Sequence, residues 1–173
     1  SAVLEGNNSV INKLKDQYPD TELKIQFGLL GYRGINDTEQ FIEPALGGSS
    51  HFTENVHSVI SAVNALVSNA SGGGDIAEDH LSAIHRITSW NNPCDWESKI
   101  KMSILLTDAP CHGFIPDSHS SLISDHFNDR HPSGLTVDCV VDDLIEKDID
   151  LIFCSLNPSV TSKFEEELAT AYV

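Results

Sequence analysis

Two short segments of the chain place oxygen-bearing side chains where regular structure is expected to give way to loops. The first is SGGGDIAED, residues 71–79, and the second is TDAPCHG, residues 107–113, which follows an apolar run. Open α/β sheets collect their ligands at the carboxyl ends of strands. These segments therefore predict a binding site at Asp75 and Asp108.

The glycine triplet before Asp75 also suggests a phosphate cradle, because exposed N–H groups at a helix start attract anions. The neighbouring residues argue against it. No Lys follows as in a phosphate-binding loop, and Asp75, Glu78 and Asp79 would repel a phosphate. We therefore disfavour nucleotide binding.

Cys111 and His112 raise two alternatives. A thiolate paired with a base is a covalent catalyst, so Cys111 with a loop histidine would make a cysteine-dependent hydrolase. The same loop holds enough ligand types for Zn²⁺, but their spacing fits no finger motif, and we expect solvated histidines instead. The candidate zinc ligands are Cys111, His112, Asp117, His119, His126 and His131.

The composition is typical of one globular domain spanning residues 1–173. Apolar residues make up 40% of the chain, which is enough for a core, and the net charge is -16. Such a charge repels nucleic acid and anionic membranes, so we expect neither as a partner. No run approaches the ~20 apolar residues of a membrane helix, and no signal-peptide pattern opens the chain.

The cysteines favour a reducing compartment. Cys94 and Cys111 flank a predicted strand, which should hold them beyond the ~7 Å limit for a disulfide. Cys139 and Cys154 fall in a predicted helix and strand, so we expect buried thiols there and a cytoplasmic protein. Glycosylation sequons at residues 7, 36 and 69 keep secretion as the alternative.

The elements that must position these residues alternate along the chain, as apolar spacing and turn residues indicate. Thr53 and Asp75 are the expected N-caps of the second and third helices, and the apolar runs of the last two strands predict cover on both faces. The predicted helices are one ending near Tyr18, then Glu54–Ser68, residues 76–90 after the Asp75 cap, Thr136–Ile145 and Val160–Tyr172; the predicted strands are Leu23–Tyr32, Phe41–Leu46, Ile100–Leu106 and Leu151–Leu156.

Several segments taken together resemble a von Willebrand factor A domain, and most closely the version associated with α-kinases. The resemblance covers nearly all of the chain and implies a doubly wound, mainly parallel sheet with helices on both faces. The segments that carry it are GYRG at 31–34, FTEN at 52–55, GGGD with ED at 72–79, and LLTDAPCHG at 105–113.

The resemblance also implies a metal-ion-dependent adhesion site at the carboxyl edge of that sheet. The family's second site segment corresponds to Asp75, and its third to Asp108 with Thr107. The implied ion is Mg²⁺, with Mn²⁺ or Ca²⁺ as alternatives, and a Glu or Asp of a protein partner fills its open position. The simpler alternative is that Asp75 only caps a helix and Asp108 only ends a strand.

The family's first site segment, a DxSxS or DxTGS turn, is absent together with its strand. The sequence likewise stops before the family's last strand and helix, so we expect a sheet incomplete at both ends. Buried unpaired backbone groups cost ~1 to 3 kcal/mol each, so a second copy, another segment or a changed strand order should fill the gap. The predicted function is a non-enzymatic protein-interaction module that binds at Asp75, Asp108, Cys111 and His112, and the alternative is the cysteine hydrolase.

Overall fold

A computed structural model describes residues 13, 16–19, 24–47, 50–70, 74–91, 95–127 and 130–173. The predicted first helix and Cys94 lie largely or wholly outside these residues. The described strands are β1 Phe27–Gly28, β2 Gly31–Tyr32, β3 Phe41–Ile42, β4 Phe52–Thr53, β5 Met102–Thr107 and β6 Asp150–Ser155; the helices are α1 Val56–Ser68, α2 His80–Thr88, α3 Val137–Glu146 and α4 Pro158–Ala171.

The chain divides into two compact units, and the expectation of a single domain stays a prediction. The first unit comprises residues 1–29, 43–70 and 91–95. Within it, β1 pairs antiparallel with β4, and α1 packs against both strands. The N-cap of α1 is Asn55, whose side chain accepts the backbone N–H groups of His57 and Ser58. The prediction that Thr53 caps this helix is wrong, because the Thr53 hydroxyl accepts the Asn55 N–H instead.

The second unit comprises residues 30–42, 71–90 and 96–173. It contains the antiparallel pair β2–β3 and the parallel pair β5–β6, joined in sequence through α3. Helix α3 packs against α2 and α4. The buried core of this unit is formed by apolar side chains from these elements, among them Leu81, Ile84, Leu105, Val140, Leu144 and Phe164.

Among the described residues the parallel pair is covered on one face only, so the prediction that both faces are covered is wrong. Leu105 and Thr107 of β5 are buried, whereas Met102, Ile104 and Leu106 are 51, 62 and 57% exposed. The covered face packs into the core cluster that α3 and α4 share. An unbroken apolar run therefore did not mean a strand buried on both sides.

The described part of the chain is mixed α/β, with three two-stranded sheets, one of them parallel. The predicted strand Leu23–Tyr32 is wrong as a single element, because its described part forms the separate short strands β1 and β2, in different antiparallel pairs. In these residues β5 has one strand neighbour, β6. A doubly wound order, and the filling of a gap beside β5, stay predictions.

Two further findings concern membrane-spanning helices and the state of the cysteines. Within the described ranges, no helix combines the length and apolar content needed to cross a membrane. Cys111, Cys139 and Cys154 carry free thiols, but the expected burial of Cys139 and Cys154 is wrong, because Cys139 is exposed and Cys154 is half-buried.

Candidate functional site

The two segments singled out from the sequence lie against each other in the second unit. After β5 ends at Thr107, the chain turns and Cys111 forms an isolated parallel bridge with Glu78. The Glu78 N–H donates to Pro110 O at 2.9 Å, and the His112 N–H donates to Glu78 O at 3.2 Å. Backbone hydrogen bonds therefore hold the residues before α2 beside the loop that follows β5.

Helix α2 begins four residues later than the sequence indicated, since its N-cap is Asp79 and not Asp75. The Asp79 side chain accepts the Ser82 N–H at 3.0 Å. The expectation that Asp75 caps this helix is wrong, because the carboxylate of Asp75 accepts the backbone N–H of His126 at 2.8 Å. Asp75 thus belongs to the loop contacts and not to the helix end.

An acidic pocket forms where these loops meet the turn after β2. Three carboxyl side chains face it, those of Asp37, Asp75 and Glu78. Gly34 lies at its wall: a Cβ on this residue would stand 3.6 Å from Asp37 Oδ2 and 3.7 Å from both Ala77 O and Glu78 Oε2. The absence of a side chain at Gly34 therefore leaves room beside three oxygen atoms.

Glu78 carries an unsatisfied carboxyl oxygen in this pocket. Its Oε2 atom is buried and has no hydrogen-bond partner among the described residues. Burial raises the pKa of Glu78 to about 7, and the charges of Asp37, Asp75 and Asp108 act in the same direction, against the opposing charge of Arg33. Near neutral pH this carboxyl group is therefore poised between its protonated and charged forms.

Asp75 also belongs to a second group of side chains, with His112 and Asp125. One ligand atom from each of the three lies within 4.8 Å of the others, and this is the one such group of three His, Cys, Asp or Glu residues in the described part of the chain. Asp75 Oδ2 is 3.9 Å from His112 Nδ1 and 3.5 Å from His126 Nδ1. The sequence predicted Asp75 and His112 as site residues but not Asp125.

Asp125 is saturated with hydrogen bonds. It accepts from His112 Nδ1 and the Gly113 N–H, each at 2.7 Å, and from the Phe127 N–H at 2.8 Å. Burial alone would raise the pKa of Asp125, but the bonds from Gly113, His112 and Phe127 outweigh it and lower the pKa. Because a carboxylate only accepts, His112 carries its proton on Nδ1, and Asp125 fixes that ring.

Thr107, predicted as a metal ligand, uses its hydroxyl group within the protein. The oxygen lies 3.0 Å from His80 Nε2, accepts the Ala109 N–H at 3.1 Å and donates to Ala109 O. Burial lowers the pKa of His80 to about 4, against the opposing hydrogen bond to Glu78 O, so His80 is neutral at pH 7. A metal role for Thr107 would require these bonds to rearrange.

Asp108 is exposed and stands outside the group of Asp75, His112 and Asp125. Its charge nevertheless reaches the pocket, since it contributes to the raised pKa of Glu78. The charges of Asp108 and Asp75 therefore both raise the pKa of Glu78. In the described residues, however, the two carboxyl groups do not belong to one group of candidate metal ligands.

Cys111 and its candidate helper histidines do not form a nucleophilic pair. The thiol is 1% exposed among core residues, and burial, followed by the charge of Asp79, raises its pKa well above the ordinary value. The ring of His112 turns to Asp125. The remaining loop histidines have other partners: His119 bonds Ser118, His126 lies beside Asp75, and His131 contacts Asp79, Ser82 and Ser133.

Comparison of the chain with known protein families, with curated proteins and with solved structures found no match.

Proposed function

We propose that this chain is a non-enzymatic protein-interaction module whose binding depends on a divalent cation held in the pocket of Asp37, Asp75 and Glu78. One observation carries the proposal. Glu78 presents a buried oxygen that no protein donor satisfies, and its neighbours add negative charge. A buried, unpaired polar atom costs free energy unless a ligand meets it.

The donor set fits a hard cation. Mg²⁺ and Ca²⁺ take oxygen ligands, chiefly carboxylates and carbonyl groups. The pocket offers carboxylate oxygens from Asp37, Asp75 and Glu78, and Ala77 O lies at the same wall as Asp37 Oδ2 and Glu78 Oε2. A bound dication would offset the burial and the like charges that raise the pKa of Glu78, and it would be a partner for the unpaired oxygen.

A bound cation would also give this acidic chain a means of recognising an acidic partner. With a net charge of -16, the chain repels a free carboxylate. An ion with a coordination position left open accepts a Glu or Asp side chain of the partner directly. This is the mode of binding that the von Willebrand factor A resemblance implies, and it requires no bond to be made or broken in either protein.

Calorimetric titration with Mg²⁺, Mn²⁺ and Ca²⁺ at pH 7.5 tests the proposal. We expect saturable binding of at least one ion, and loss of that binding by tenfold or more in Glu78→Gln. Asp142→Asn, an exposed change on α3, removes the same charge away from the pocket and should bind as the wild type does. Absence of saturable binding, or equal weakening in both variants, would rule out the pocket as the cation site.

Gly34→Ala tests the position of the ion within the pocket. The added methyl group would stand at ordinary contact distance from three oxygens, so the fold should survive while the space beside them is filled. Gly74→Ala is the matched control, because a Cβ there meets nothing within 4 Å although Gly74 lines the same pocket. We expect weaker cation binding in Gly34→Ala and unchanged cation binding in Gly74→Ala. We also expect the wild-type protein to bind a Glu-containing peptide, and expect this binding to disappear when EDTA is added.

A further inference from the structure

Three side chains outside the acidic pocket form a continuous hydrogen-bonded row in the second unit. The Ser133 hydroxyl lies 2.7 Å from His131 Nδ1, and His131 Nε2 lies 3.0 Å from Asp79 Oδ1. A hydroxyl, an imidazole and a carboxylate in this order are the components of a serine nucleophile with its base and orienting acid. Such a set is recognised by its geometry and not by its order in the sequence.

The hydrogen bonds determine which nitrogen of His131 carries the proton. An ionised carboxylate can accept a hydrogen bond but cannot donate one. The 3.0 Å contact with the Asp79 carboxylate therefore places a proton on Nε2. The Ser82 hydroxyl, 3.0 Å from the same nitrogen, shares that proton. Nδ1 then has a free lone pair, which accepts from the Ser133 hydroxyl and, at 3.3 Å, from the Ser133 N–H. This is the protonation state that a general base needs.

Burial follows the order expected of such a row. Asp79 is 0% and His131 6% exposed, whereas Ser133 is exposed to solvent. The next residue, Gly134, has a φ of 77°, and a Cβ there would meet no atom within 4 Å. The carboxylate and the base are therefore held inside the protein, while an incoming molecule has open access to the hydroxyl.

Asp79 is fixed by contacts of its own. Its carboxylate caps α2 through the Ser82 N–H and accepts a hydrogen bond from the side chain of Gln40. These contacts set the position of the carboxylate independently of His131. In the row, Asp79 is a positioning residue that orients the ring, and Ser133 and His131 are the groups that would meet a reactant.

We propose that Ser133 is an activated nucleophile that takes an acyl group from small, reactive esters. Ser133 Oγ bonds to the carbonyl carbon while its proton passes to His131 Nδ1. The bond from carbon to the leaving alkoxide then breaks, and the alkoxide departs as an alcohol with that proton. The product is Ser133 esterified by the acyl group. This reactivity is separate from cation binding and does not use the pocket carboxyl groups.

The chain contains a matched control for this proposal. Ser118 Oγ lies 2.9 Å from His119 Nδ1, Ser118 is exposed and His119 is half-buried, and in the described residues His119 has no carboxylate partner. It is a serine and histidine pair without the orienting acid. Comparing Ser133 with Ser118 in one sample therefore isolates the effect of the buried carboxylate on serine reactivity.

A fluorophosphonate probe followed by peptide mass spectrometry tests the proposal. The probe forms a bond from phosphorus to serine oxygen and releases fluoride, while the serine proton passes to the histidine. We expect Ser133 to be labelled at least tenfold faster than Ser118, and expect this preference to vanish in 8 M urea. Equal rates in the folded protein, or no label at Ser133, would overturn the proposal.

Two variants separate activation from folding. Ser133→Ala changes an exposed side chain and should abolish the label at that peptide with no change in the melting curve. Asp79→Asn keeps a good helix N-cap but no longer favours a proton on His131 Nε2, so labelling of Ser133 should fall at least tenfold, normalised to the folded fraction. Unchanged labelling in Asp79→Asn would remove the orienting role from Asp79.

Discussion

Glu78 and Asp125 lie on adjoining loops of the same unit, and their carboxyl groups have opposite properties. Burial acts to raise the pKa of both. Asp125 accepts three hydrogen bonds, and its pKa is lowered. Glu78 Oε2 accepts none and faces the like charges of Asp37, Asp75 and Asp108, so its pKa reaches about 7. The difference therefore comes from the donors and charges around each group and not from burial.

This difference separates a structural carboxylate from a candidate ligand. Asp125 completes its hydrogen bonds within the protein and fixes the ring of His112 and the backbone at Gly113 and Phe127. Removing it should harm the fold. Glu78 is left incomplete by the protein, so its removal should relieve the fold and harm only the binding of a ligand. The predictions that follow test this division.

The largest effect is expected for Asp125→Ala. Three donors would lose their acceptor, and hydrogen bonds to charged groups are each worth about 1.5 to 3 kcal/mol, so we expect a loss of about 3 kcal/mol or more. Urea unfolding at pH 7 measures it. Asp142→Ala on the exposed face of α3 should change the free energy of unfolding by less than about 0.5 kcal/mol. A loss below about 1 kcal/mol in Asp125→Ala would mean that this network is not structural.

The element types of the second unit could be predicted from the sequence, but their exact ends could not. Helices α3 and α4 and strands β5 and β6 lie within two residues of their predicted limits at every end, because their apolar patterns are regular. Helix α2 was placed too early because Asp75 and Asp79 are equally good N-caps by residue type. The choice between them depends on Ser82 and on the contact of Asp75 with His126.

The site was predictable only in part for a related reason. Asp75 and His112 stand in motifs next to regular elements, and the prediction included both. Asp125 and Ser133 lie in the long loop 109–134, where no periodicity tells which residues fold back. Their roles depend on contacts with His112 and His131 in the folded protein. Such contacts carry no signal in one sequence.

Glu78→Gln should produce the second largest effect, with the opposite sign. The folded-state pKa of Glu78, about 7, lies above its ordinary value of 4.5. The contribution of Glu78 to the free energy of unfolding of the wild type is therefore fully present at low pH and is lost as pH rises through 7. Gln stays neutral at every pH. In EDTA, the variant should match the wild type near pH 4 and exceed it by about 1 to 2 kcal/mol at pH 8, after allowance for solvent screening.

The quantity to follow is the difference in the free energy of unfolding between Glu78→Gln and wild type, because His80 adds a pH dependence of its own to both proteins. The pKa of His80 is lowered to about 4, so its contribution falls as pH drops below about 6.5 in both proteins and cancels in the difference. Thermal melts of both proteins at pH 4, 6 and 8 give this difference as a function of pH. A variant less stable than wild type at pH 8 would contradict the view that Glu78 is unsatisfied.

The smallest effect is expected for Asp37→Asn, which removes the largest single charge acting on Glu78 but leaves its burial unchanged. Because burial is the main cause of the raised pKa, the pKa of Glu78 should fall by only about half a unit. Carboxyl ¹³C NMR of labelled Glu measures this pKa, and Asp142→Asn should leave it unchanged. No shift in Asp37→Asn would mean that the charge of Asp37 does not reach Glu78. Asp37 would then be removed from the proposed set of cation ligands, and the electrostatic argument for the site would rest on fewer charges.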